Sequence, residues 1–201
     1  MLNVMLTGVG GQGTVLAAKV LAQAALSKGW KVRTAETIGM AQRGGSVISH
    51  VRMGNEGEEV HSPLLSKGTA DLVIAFEPGE AARVLPYLAP GGVLVTASTA
   101  IQPVTAALSK DPYTSESVLS SIRAILADTD VRLVVVDDAA VIDKVGNRKA
   151  LNTVLLGSAL AVDCLPLSVE DIKAALAACV KPRFVELNLA ALDTALAAAG
   201  A

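Results

Sequence analysis

The chain has few aromatic residues and few cysteines: one Trp, two Tyr, two Phe and two Cys in 201 residues. An aromatic content of 2% leaves little on which nucleic-acid bases could stack. Charge of neither sign dominates. Seventeen Lys and Arg against nineteen Asp and Glu give a net charge of −2, so there is no basic footprint for nucleic acid. Cys164 and Cys179 form no CxxC pair and are too few to ligate an iron–sulfur cluster or build a disulfide framework. A reduced, cytoplasmic setting is expected. The N-terminus lacks a basic segment ahead of its apolar run, which argues against a signal peptide. The longest uncharged stretch, 84–109, is broken by Pro86, Pro90, Gly91, Gly92 and Pro103, which is not how a membrane helix is written. No G-x-S-x-G elbow, zinc-ligand spacing or Walker A lysine occurs.

Apolar material is plentiful. Hydrophobic residues make up 52% of the chain, mean hydropathy is +0.51, and 34 alanines crowd toward the C-terminal third. One domain spanning 1–201 is expected, with closely packed helices in a tail from about 139. Residues 2–6 read as a buried strand, 14–27 as a helix closed by Gly29, and 31–35 as a second strand, a βαβ opening that favours a parallel sheet. Residues 46–53 read as a strand, and Gly54-Asn55-Glu56-Gly57 as a hairpin tip leading to a partner strand at 58–61. Further strands are expected at 72–76, 93–96 and 132–136. Helices are expected from Pro78 toward Leu88, over 117–127, 139–145, 148–162 and 169–178, and over 183–199. The fold class is therefore α/β: a three-layer α/β/α sandwich on a largely parallel, mixed sheet, with a Rossmann-like opening and an inserted hairpin.

Gly8-Val9-Gly10-Gly11-Gln12-Gly13 fits G-x-G-x-x-G between a strand and a helix, and Glu36 follows 23 positions after Gly13. Glycines there let a backbone approach a pyrophosphate, and the helix N-terminus attracts its charge. A tight strand–helix turn without ligand explains the same residues. Gln42-Arg43-Gly44-Gly45 forms a second glycine loop, in which Arg43 is the candidate catalytic cation or a pin to a carboxylate. His50 and His61, each without a ligand cluster, suggest no metal site. Glu77 is placed to cap the following helix, Asn147 to cap a helix break, and Asn152 to anchor a neighbouring loop from within an apolar helix.

Taken in order, GVGGQG (8–13), GMAQRGGSVISHVR (39–52), HSPLL (61–65), ADLVIAFEPGEAAR (70–83) and KVGNRKALNTVLLGSAL (144–160) resemble the small subunit of the 2-oxoacid:ferredoxin oxidoreductases. The GMAQRGG spelling is most similar to the beta subunit of the indolepyruvate enzymes. The resemblance implies oxidative decarboxylation of a 2-oxoacid to an acyl-CoA with reduction of ferredoxin. It implies a larger partner carrying thiamine pyrophosphate, Mg²⁺ and the iron–sulfur clusters, with none bound by this chain alone. Gly8, Gly10–Gly13 and Gln42–Gly45 would then face the partner's active site, with coenzyme A or substrate as the group they could touch. Glu77, Asn147 and Asn152 would be structural or interface residues. A stand-alone NAD- or FAD-binding module is the alternative, although the extra glycine and Gln12 depart from the dinucleotide pattern.

Overall fold

A computed structural model describes residues 1–39, 44–102 and 114–199. Their backbone forms six strands: β1 (Leu2–Val9), β2 (Lys31–Ile38), β3 (Ser46–Gly54), β4 (Ala70–Ala75), β5 (Leu88–Ala97) and β6 (Arg132–Val136). Seven α-helices accompany them: α1 (Thr14–Ser27), α2 (Pro78–Val84), α3 (Ser115–Leu126), α4 (Asp138–Val145), α5 (Leu151–Ala161), α6 (Val169–Cys179) and α7 (Val185–Ala199). The strands form one sheet in the order β2-β3-β1-β4-β5-β6. β1, β4, β5 and β6 are parallel, and β3 runs antiparallel between β1 and β2.

The period-2 alternation of the strands sorts their side chains into two cores. Val4, Leu6, Leu72, Ile74 and Val95 face one side, where α1, α4, α5, α6 and α7 cover them. Met5, Val73, Ala75 and Leu94 face the other, under α2, α3 and the segment carrying Leu65. Runs that are apolar on both faces, as in β1 and β4, mark strands sandwiched between two helical layers. The chain thus has the expected α/β/α layering on a mixed sheet.

Four expectations need correction. The antiparallel hairpin is β2–β3, and residues 58–61 are not a strand. Gly54 through Gly57 form a turn, but Val60 and Leu65 then drop into the core, so the segment runs across a sheet face instead of along an edge. The opening is consequently not a simple βαβ unit, because β3 inserts between β1 and β2. Further along, β5 begins at Leu88 and carries Pro90-Gly91-Gly92 within an irregular register against β4, where a break before residue 93 was expected. The 148–162 helix starts as a 3₁₀ turn at Arg148–Ala150 before α5.

Candidate functional site at the carboxyl edge of the sheet

β1 hands the chain to α1 on one face and β4 hands it to α2 on the other. The carboxyl ends of these neighbouring parallel strands therefore flank a topological switch point, where doubly wound sheets leave a crevice. The first glycine loop lies across it. Gln12 folds back over the loop: its Oε1 accepts from the Val9 N–H at 2.7 Å, and its Nε2 donates to the Phe76 carbonyl at 2.8 Å. A Cβ on Gly8 would stand 2.7 Å from Gln12 Oε1 and 2.9 Å from Phe76 Cβ, so only glycine fits beneath that side chain. Gly11 has a positive φ of 101° and open space around it, so its requirement is conformational. Gly13 occupies the N-cap of α1 in the left-handed region, with the Asn152 amide packed against it.

The two glycine loops meet. Gly10 N–H donates to the Gly45 carbonyl at 2.9 Å, and Gly39 N–H to the Ser46 carbonyl at 2.8 Å, closing the base of the second loop. Gln42 and Arg43, singled out from the sequence, lie outside the described residues. Beside the loops opens a cleft of about 340 Å³ lined by Gly10, Gly11, Gln12, Thr99, Arg148 and Lys149, among others. Arg148 and Lys149 project from the 3₁₀ turn before α5 and are solvent-exposed. Asn147 does not close α4; Gly146 does that with φ 73°, while the Asn147 side chain accepts from the Lys149 N–H and starts the following turn. The floor is fixed by Asp138, which is buried and whose Oδ1 accepts from the Ser98 N–H (2.9 Å), Ser98 Oγ (3.1 Å) and Thr99 N–H (2.9 Å). Sequence reasoning missed Asp138, Arg148 and Lys149. Their signals were an Asp pair at a strand end and two adjacent cations after a Gly-Asn break.

Glu77 is buried, and its side chain accepts from the Glu80 N–H at 2.8 Å as the N-cap of α2. Burial pushes its carboxyl above the ordinary glutamate range, with the Glu80 carboxylate adding to the effect. Glu80 in turn accepts from Ser46 Oγ at 2.5 Å and pairs with Arg83 at 3.2 Å, tying α2 to the start of β3. Asn152 is buried at the N-terminus of α5, and its Oδ1 has no hydrogen-bond partner among the described residues. The histidines stand apart from the cleft residues. His50 Nδ1 accepts from the Leu65 N–H at 3.3 Å in a buried setting that lowers its pKa, and His61 is exposed. Burial also pushes the Cys164 thiol up to about 11, which leaves it a poor thiolate. Among the described residues no three His, Cys, Asp or Glu side chains gather as metal ligands.

The cleft and fold define an α/β/α protein whose candidate site is a glycine-loop edge flanked by two cations. Comparison gives the family. The model described as pyruvate ferredoxin/flavodoxin oxidoreductase matches residues 3–198. The indolepyruvate oxidoreductase subunit IorB of Pyrococcus horikoshii is 37% identical over 198 residues, covering 98% of this chain and 95% of that one. In solved structures, the gamma subunit of a keto/oxoacid ferredoxin oxidoreductase from Geobacter sulfurreducens PCA has a TM-score of 0.70 at 22% identity, covering 99% and 98% of the two chains. A 2-oxoglutarate:ferredoxin oxidoreductase from Magnetococcus marinus has a TM-score of 0.71 at 19% identity, and the match covers 99% of this chain but 31% of that one. The chain belongs to the pyruvate ferredoxin/flavodoxin oxidoreductase family.

Proposed function

We propose that this chain is the small subunit of a thiamine-dependent 2-oxoacid:ferredoxin oxidoreductase acting on an arylpyruvate such as indolepyruvate. In that reaction a 2-oxoacid and coenzyme A give an acyl-CoA, carbon dioxide and a proton, and two electrons pass to ferredoxin. Thiamine pyrophosphate with Mg²⁺ supplies the carbanion chemistry when bound, and the iron–sulfur clusters carry the electrons; both belong to a larger partner. The two cysteines, fifteen positions apart, are too few to hold a cluster.

The observation that carries this reading is the family match over residues 3–198, and the chemistry of the cleft agrees with it. At about 340 Å³ the cleft stands at the small end of ligand pockets, and it combines loop glycines with Arg148 and Lys149. That chemistry suits the anionic end of a ligand whose remainder lies elsewhere. The same edge exposes Val15, Ile38 and Ile101, a set of large apolar side chains suited to burial against a partner. In the assembled enzyme this chain, as one domain over 1–201 with its 139–201 helices packed on the sheet, closes over the partner's active site. Gly10, Gly11, Arg148 and Lys149 would meet phosphate or carboxylate groups of coenzyme A or substrate, and Gln42 and Arg43 would complete that surface. Ferredoxin docks on the complex through the partner, and the complex works in the cytoplasm without nucleic acid or membrane.

Reconstitution tests this directly. The isolated chain should oxidise no 2-oxoacid, and turnover should appear when a thiamine-bearing larger subunit is added. Tight binding of NAD or FAD by the isolated chain would instead favour a stand-alone nucleotide module.

A further inference from the structure

The side chain of Gln12 occupies the switch-point crevice, where a dinucleotide would be expected if the glycine fingerprint served one. Both of its polar ends are committed within the chain, to Val9 on β1 and to Phe76 just beyond β4. The orientation of its amide follows from chemistry, since a backbone N–H can only donate and a carbonyl only accept. The next residue, Gly10, carries the bond to Gly45 and so to the second glycine loop. A continuous chain of hydrogen bonds therefore runs from the end of β4 through Gln12 and the first loop to the base of the second.

We propose that Gln12 is a positioning residue, a latch that sets the first glycine loop, and through Gly10 the Gly45 end of the second, relative to β4 and so shapes the cleft beside them. Both of its amide hydrogen bonds are made within the chain. Its effect on catalysis rests on the function proposed above; the latch does not. Removing it should free the loops while the sheet, held by its own ladder, stays intact.

The test is amide hydrogen exchange on the full chain, comparing wild type, Gln12→Leu and Gln12→Glu. In Gln12→Leu, exchange at Val9, Gly10 and Gly39 should accelerate about tenfold or more, as loss of one hydrogen bond would give, while Val73 in β4 keeps its protection. Gln12→Glu supplies an internal rescue. As a carboxylate it repels the Phe76 carbonyl and should loosen the loops at pH of about 8. Once protonated near pH 5 or below it again offers one acceptor and one donor, and protection should return. In the assembled enzyme Gln12→Leu should raise the KM for coenzyme A more than it lowers kcat. Faster exchange confined to Val9, or no acid rescue in Gln12→Glu, would overturn the latch. Loosened loops with an unchanged KM would overturn its positioning role. A wild-type complex that fails to turn over would count against the proposed function alone.

Discussion

At the residue scale, close approach and backbone conformation set separate demands on the glycines of the first loop. Gly8 must lack a Cβ because Gln12, Phe76 and Thr14 close over it, whereas Gly11 must reach a positive φ in open space. Gly8→Ala and Gly11→Ala should each cost about 1–3 kcal/mol, by overpacking and by backbone strain respectively. Only Gly8→Ala should also speed amide exchange at Val9, because it alone displaces Gln12. Equal effects at Val9 would contradict that distinction. Glu77 carries a pH signature. Its carboxyl, raised by burial, contributes stability that is fully present below the unfolded-state pKa and lost as pH rises through the folded one. Between pH of about 4 and about 8, wild-type stability should therefore fall relative to Glu77→Gln, which does not titrate. A constant difference across that range would contradict the assignment.

At the element scale, the structure joins sequence-distant pieces at one sheet edge. Asp138 begins α4, yet its carboxylate gathers the backbone of Ser98 and Thr99 as the chain leaves β5. Asp138→Ala should destabilise by about 2–3 kcal/mol, the scale of lost hydrogen bonds to a charged acceptor, and Asp138→Asn by about 1 kcal/mol. Thermal denaturation of both variants checks the ratio, and equal losses would show that the charge carries the effect. Much of this architecture could be read from the sequence. Helix signals were local: Ser168 with Asp171 forms the capping box that starts α6, and Gly146 ends α4. Strand partners could not be read the same way, because a period-2 pattern reports a buried face and not the neighbour across it. Residues 58–61 consequently looked like a hairpin strand when β3 in fact pairs with β1 and β2. Gln12 was legible as a departure from the dinucleotide fingerprint, but not as a latch, since Phe76 lies 64 positions away.

At the scale of the whole molecule, the first glycine loop, Arg148 and Lys149 line one cleft, and the Gly10–Gly45 hydrogen bond brings the end of the second loop beside it. Reversing both cations, Arg148→Glu with Lys149→Glu, should raise the KM for coenzyme A about tenfold or more in the assembled enzyme, the scale of a lost charge-assisted contact. Because both side chains are exposed, the melting temperature should move by no more than a few degrees. A matching collapse in stability would make their role structural. The most direct test of the central claim is purification of the tagged chain from its native cell. A larger chain should co-elute in stoichiometric amount, brown with iron–sulfur clusters and carrying thiamine pyrophosphate. A chain that elutes alone and colourless would contradict it.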